Sequence, residues 1–253
     1  HDPDLIRRIG AVTAVEIAAS GIEWTFAPTL AVPQDVRWGR AYEGYSSDPG
    51  LVASYGRAMT LGLQGDLVAG TPLPAHRVAA TAKHYLADGG TADGRDQGDA
   101  RISEAELIKI HAPGYPAAID AGALTVMASF SSWNGVKHHG NASLLNDVLK
   151  GRMGFTGLVV GDWNGHGQVP GCSNTDCPAA LNAGLDLYMV NEPTLVRQVL
   201  TNAEDNFPKR ALLGEALQPL LGESIFTTNG ALWKRQREMM DPAFAQARLN
   251  VAF

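Results

Sequence analysis

The chain has 253 residues, of which 45% are hydrophobic and 18% charged, with a formal net charge of −6 and only two cysteines. This is the composition of an ordinary globular protein with enough apolar residues for a sizeable core. The acidic balance argues against nucleic acid as a main partner, and every apolar run is too short to span a bilayer, so no membrane segment is expected. No signal-peptide pattern opens the chain. The segment HDPDLIRRIG reads instead as a helix start, with Asp2 as the cap and Pro3 in the first turn, so the chain is expected to begin inside a longer sequence.

Helix-like and strand-like segments then alternate. Residues 3–20 are patterned as a helix ended by Gly21, and WTFAPTL at 24–30 reads as a strand. A polar loop leads to a helix over about 50–64, and VAATAKHYL at 78–86 is the next strand. Ser103 and Glu106 form a capping box for the helix that follows. ALTVMASF at 123–130 is a strand, and a helix is expected over about 142–151. The strand GLVVGDW at 157–163, a helix near 178–184 and the strand LDLYMV at 185–190 complete the series. Such a βα succession builds a parallel α/β sheet, and the polar residues that follow its strands favour a barrel with one active face.

GLVVGDWNG at 157–165 is the most informative segment. A short apolar run between glycines is the pattern of a buried parallel strand, and Asp162 falls at its carboxyl end, where α/β sheets bind ligands. Trp163 beside that carboxylate offers a flat apolar face for a sugar ring. The bland alternative is that Asp162 merely caps a helix. Cys172 and Cys177, in PGCSNTDCP, could close a disulfide and so favour a periplasmic or secreted home, or remain two reduced thiols of a cytosolic protein. No second ligand pair has the spacing of a zinc site, so no metal is expected.

Residues 1 to about 190 resemble the barrel domain of glycoside hydrolase family 3, the β-glucosidase and exo-β-glucanase group. The motifs, in order, are VRWGRAYEGYSSDP, AATAKHYLADGGT, RDQGDARISEAEL, VMASFSSWNG, LNDVLKGRMGF, GLVVGDWNG and ALNAGLDLYMV. The resemblance implies an incomplete (β/α)8 barrel that acts on β-glucosides or glucose. Asp162 matches the family's nucleophile and Trp163 its sugar-stacking neighbour. Arg40, Lys83 and His84 match residues that hold hydroxyls of the innermost glucosyl unit. A retaining glycosidase attacks the anomeric carbon with one carboxylate while a second carboxyl about 5–5.5 Å away protonates the leaving oxygen.

The chain departs from the family pattern in three places. Phe130 stands where the family usually carries a tyrosine that steadies the nucleophile. The earlier barrel strands, with an aspartate that grips outer hydroxyls, do not precede residue 1 of this sequence. The acid/base, normally a glutamate of a second domain, has no counterpart here. Asp88, Asp93, Asp96 and Asp99 in the polar loop after Lys83, and His166 past the nucleophile, are candidates for a recruited acid.

Beyond residue 190 the resemblance changes. The pieces FPK, LLGESIFTTNG and WKRQREMMDPAF, within 191–253, are similar to the early helical part of a haem-thiolate monooxygenase (cytochrome P-450). In that family Trp233 and Arg237 would match a WxxxR helix that reaches a haem propionate. No cysteine lies in 191–253, so the axial thiolate is missing and no cofactor is expected. This segment carries seven basic and seven acidic residues, which leaves the whole net charge on the first part. The sequence therefore reads as a chimera joined near residues 188–194. An eight-stranded barrel takes about 250 residues. The apolar faces of the helical tail, at Leu195, Val196, Val199 and Leu200 and at Leu212, Leu213, Leu217, Leu220 and Leu221, or else a second copy of the chain, are expected to cover the surface that the missing strands leave.

Overall fold

A computed structural model describes residues 1–68, 70–190, 193–194, 197, 222–223, 227–228 and 230–240. The chain divides into two units, His1–Glu192 and Pro193–Phe253. In the first, the helices are α1 (Pro3–Ala19), α2 (Pro49–Gln64), α3 (Glu104–Glu106), α4 (Gly114–Asp120) and α5 (Pro178–Asn182). Its strands are β1 (Thr81–Tyr85), β2 (Asp99–Ala100), β3 (Thr125–Ala128), β4 (Ser132–Trp133), β5 (Val136–Lys137) and β6 (Leu158–Val160).

Both long helices begin on an Asp-Pro pair. The Asp2 carboxylate accepts from the Leu5 amide at 2.9 Å in α1, and the Asp48 carboxylate accepts from the Leu51 amide at 2.8 Å in α2. The capped amides would otherwise lack a partner, and the proline needs none. The two helices cross where Gly10 meets Gly62. A Cβ on Gly62 would lie 2.9 Å from the Gly10 Cα, so glycine at both positions is what permits the contact.

β1, β3 and β6 form a parallel sheet in that order, with Thr81 opposite Thr125 and Val126 opposite Val159. Their central residues are buried, as expected where helices cover one face and other strands' side chains the other. On one side the segment 24–30 joins through bridges Trp24–Ala79 and Thr29–Lys83, and on the other Leu187 bridges Val160. Five parallel segments thus lie side by side in the predicted order, as an arc of a barrel.

The structure corrects the expected elements in three respects. The outer two strands reduce to isolated bridges. Pro28 has no amide hydrogen to give, and Asp186 and Leu187 both donate to the one carbonyl of Val159, at 2.9 and 3.2 Å, so no regular ladder propagates. The helix expected over 142–151 is a π-helix, Ser143–Arg152, that ends with Met153 N donating to Val148 O, five residues back, at 2.8 Å. The wide turn lets the adjacent Leu144 and Leu145 both reach the core together with Leu149. Lastly, the polar loops contain an unpredicted sheet in which β2 runs parallel to β4 and β4 antiparallel to β5. Its hairpin turns on Asn134-Gly135, both with positive φ (48° and 87°).

The main core lies between the strand arc and the crossover helices. Tyr85 and Tyr115 meet edge to face with centroids 4.9 Å apart, among Leu30, Val52, Leu86, Leu145 and Leu149. Each large apolar side chain fully buried there contributes about 1.5–3 kcal/mol. The Ser103–Glu106 capping box is formed as predicted.

In the second unit the helix Gly230–Met240 carries Trp233 and Arg237, and Thr228 Oγ1 donates to Gln236 Oε1 at 2.6 Å. The apolar faces expected at 195–200 and 212–221 lie outside the described residues.

Candidate active site

The carboxyl ends of β1, β3 and β6 open onto a cleft of about 500 Å³. Arg40, Lys83, His84, Asp162 and Trp163 all line it, so the structure brings together five of the six residues expected to act on a sugar. Trp24, Phe26, Leu187, Tyr188 and Met189 supply its apolar walls. Phe130 is not among the lining residues. Its ring stands one layer back, 6.1 Å from that of His139.

Lys83 and His84 are consecutive, and in a regular strand they would point to opposite faces. The β1–β3 register slips between Ala82 and Tyr85, which breaks the alternation and lets both side chains face the cleft. His84 is buried and held at both nitrogens. Its Nδ1–H donates to Asp88 Oδ2 at 2.8 Å, and Arg40 Nη2 donates to its Nε2 at 3.1 Å. That pair of bonds describes a neutral imidazole with its proton on Nδ1. Arg40 is in turn clamped by Glu43, Nε to Oε1 at 2.8 Å and Nη2 to Oε2 at 3.0 Å. The guanidinium holds the Glu43 carboxyl below its ordinary range. Burial pushes the Lys83 ammonium down, against the pull of Glu43 and Asp162. Among the described residues Lys83 has no hydrogen-bonded partner, so its donors are available to a ligand.

Asp162 leaves β6 with its three polar groups differently engaged. Its backbone N–H donates to His139 Nε2 at 2.9 Å. Oδ1 accepts from the Trp163 amide at 2.7 Å. Oδ2 faces His84 Nε2 at 3.7 Å, beyond hydrogen-bond distance. One carboxylate oxygen is therefore fixed and the other is left without a hydrogen bond on the His84 side. Trp163 is 57% exposed and presents a broad apolar face at the rim.

The proposed acids fall elsewhere. Asp88 is committed to His84, Asp96 accepts from Trp38 Nε1 at 3.1 Å, and Asp93 lies 3.8 Å from Arg37 at the surface. Asp99 braces the hairpin through Ser132 and Gly135, both at 2.8 Å. His166 is buried, with Nε2 2.9 Å from the Asn174 carbonyl and its ring stacked on Tyr188 at 4.1 Å. None of these lines the cleft, where Asp162 is the single carboxylate among the described residues. Cys172 and Cys177 are joined in a disulfide, and Cys177 N donates to the Tyr188 hydroxyl at 3.3 Å. The bridged loop thus supports the wall that Tyr188 forms.

Sequence reading missed His139, Glu43 and the anchoring role of Asp88. Glu43 lies three residues after Arg40, a spacing that suits an ion pair, and Asp88 follows His84 by four. His139 had no such local signal, since it lies 23 positions from its partner.

A carboxylate, three basic side chains and an exposed tryptophan thus meet at the carboxyl ends of parallel strands. The family described as Glycosyl hydrolase family 3 N terminal domain matches residues 1–216, and the chain belongs to it. The match runs past residue 190. The periplasmic beta-glucosidase of Salmonella typhimurium is 34% identical over 197 residues, which are 75% of this chain and 25% of that protein. A beta-xylosidase of Formosa agariphila is 36% identical over 170 residues, 66% of this chain and 23% of its own length. The exo-1,3/1,4-beta-glucanase of a Pseudoalteromonas species superposes with a TM-score of 0.75 and 43% identity, over 93% of this chain and 31% of that one. A beta-glucosidase of Listeria innocua in complex with glucose does so with a TM-score of 0.72 and 30% identity, over 91% and 34%. The chain spans about a quarter of the length of these curated relatives.

Proposed function

We propose that this chain carries the sugar-binding and nucleophilic half of a retaining β-glucosidase. The observation that carries the reading is Asp162, with one oxygen fixed by the Trp163 amide and the other 3.7 Å from His84 Nε2, in a cleft that Lys83 and Arg40 also line. In this reading the cations and His84 hold hydroxyls of a terminal β-D-glucosyl residue, and Trp163 stacks on the ring. Asp162 Oδ2 attacks the anomeric carbon, the bond to the leaving oxygen breaks, and a glycosyl ester forms that water then hydrolyses. Protonation of the leaving oxygen falls to a group outside the described cleft residues. Natural glucosides should therefore react poorly and activated ones well.

The test is intact-mass labelling with a 2-fluoro glucoside bearing an activated leaving group, followed by peptide mapping. The expected result is a glycosyl adduct on Asp162. A folded sample that gains no mass would favour the second reading, a barrel remnant that binds glucose without turnover. That alternative draws on the same absence of a second carboxylate in the described cleft, and glucose-dependent stabilisation without hydrolysis is its signature.

Several further points belong to this proposal. The disulfide and the likeness to a periplasmic relative support a periplasmic or secreted location. Among the described residues no helix is long and apolar enough to cross a membrane. The outer segments of the arc make only isolated bridges, two for 24–30 and one at Leu187, which supports completion of the barrel by further chain or by a second copy; a sedimentation mass distinguishes these. The division at Glu192 and the neutral charge of 191–253 support a distinct segment there, although the family match reaches residue 216; its reading as cytochrome P-450 type rests on the motifs FPK, LLGESIFTTNG and WKRQREMMDPAF alone. A Soret band on haem addition that moves with Trp233→Ala would test its one remaining chemistry.

A further inference from the structure

We infer that His139 is the positioning residue of the nucleophile: its neutral imidazole accepts the Asp162 backbone N–H and serves as the template on which the Asp162–Trp163 turn is folded. The inference rests on the reading of Asp162 as nucleophile, and its geometry is independent of that reading. His139 is fully buried, and its Nε2 lies 2.9 Å from Asp162 N. An acceptor at Nε2 must carry its proton on Nδ1.

The residues around the ring are shaped to it. Gly161 and Gly165 flank the turn on both sides. A Cβ on Gly161 would stand 3.3 Å from His139 Cδ2, and a Cβ on Gly165 would overlap the ring itself. Glycine at 165 is therefore explained by the imidazole, while at 161 the Tyr188 Cβ, at 3.2 Å, crowds an added side chain as closely as the ring does; the Phe130 ring lies 6.1 Å from that of His139. Burial pushes the His139 pKa down to about 3, so the lone pair at Nε2 stays available at any pH where the protein is folded and active.

The consequence for the site is directional. With its N–H on His139 and Oδ1 on the Trp163 amide, Asp162 has backbone and side chain both fixed, leaving Oδ2 as the free oxygen. Loss of the acceptor leaves a partly buried N–H without its protein partner and frees the turn to rotate. That should slow attack more than it weakens sugar binding.

The experiment compares the full chain with His139→Phe, which keeps a ring but no acceptor, and His139→Gln, whose amide oxygen can accept. In wild type that labels on Asp162, His139→Phe should slow labelling at saturating 2-fluoro glucoside by at least about tenfold, with the half-saturating concentration changed less than about threefold. His139→Gln should recover most of the rate. An unchanged rate in His139→Phe, or an equal loss in both variants, overturns the proposal. If wild type does not label, the catalytic reading fails and hydrogen exchange at the Asp162 amide decides the positioning role. The amide should be protected in wild type and exchange about tenfold faster in His139→Phe, with the amides of 158–160 unaffected. Equal exchange overturns it. Should His139→Phe fail to fold, imidazole nitrogen spectra of wild type remain: a proton on Nδ1 is expected, and a proton on Nε2 would overturn the assignment.

Discussion

The exits of β1 and β6 face one cleft but are held by opposite chemistry. At β1, side chains clamp one another in a chain: Glu43 on Arg40, Arg40 on His84, His84 on Asp88. At β6, the backbone N–H of Asp162 donates to a neutral ring and its carboxylate accepts from one backbone amide, and among the described residues no cation makes a hydrogen bond to it. On the proposed function, the difference follows from what each exit would do. Donors that grip hydroxyls can be fixed by partners behind them, because their remaining hydrogens still point forward. A nucleophile paired directly with a cation would have to break that pair before attacking. The β6 exit therefore positions its acid through the main chain.

Four measurements break or sharpen this contrast. Asp162→Asn should have the largest effect, abolishing 2-fluoro glucoside labelling by more than about a thousandfold while glucose still raises Tm. Loss of both responses together would mean that the two exits are not separable.

Acid comes second. Burial holds His138 and His139 neutral, with pKa values of about 3, and His111 with a pKa of about 4, against 6.5 for the free ring. The unfolded chain takes up these protons below 6.5 while the folded chain does not. Stability from this source is therefore fully present above pH 6.5 and is lost as the pH falls toward 4, by up to about 1.4 kcal/mol per pH unit for each histidine. Urea midpoints measured from about pH 7 to about pH 5 should fall steadily; a flat series would remove the buried-imidazole account of the β6 exit.

Asp88→Ala should weaken the β1 exit by about 1–3 kcal/mol, because the buried His84 Nδ1–H loses its acceptor. Its expected signature is weaker glucose-dependent stabilisation with labelling at saturation little changed. A fall in the labelling rate at saturation would assign His84 to the chemical step. Glu43→Gln should be the mildest, at most about 1 kcal/mol in the urea midpoint, since both partners of the Arg40 pair are partly exposed to solvent. A larger cost would show that the clamp, rather than the sugar, is the main partner of Arg40.

The order of strands and helices could be read from the sequence because apolar periodicity, Asp-Pro caps and the Ser103–Glu106 box are local signals. Asp162 and Trp163 were legible as a short motif at a strand end, and Lys83, His84 and Arg40 through the motifs of the family resemblance. The π-helical turn at Ser143–Arg152 was not legible, since one extra residue per turn is decided by which leucines reach the core. Nor was the sheet of β2, β4 and β5, whose strands of two residues are too short to show a period, although Asn134-Gly135 marked its turn.

Taken alone, the chain's sequence determined which residues stand at the rim, because strand ends and the types of residue found there follow from neighbours within a few positions. Only the tertiary structure decided how they are held. The bond from Asp162 to His139, the slip that turns both Lys83 and His84 inward, and the commitment of Asp96, Asp99 and His166 elsewhere join groups that different segments bring together. Such contacts depend on packing between elements, and no pattern of spacing along the chain encodes them.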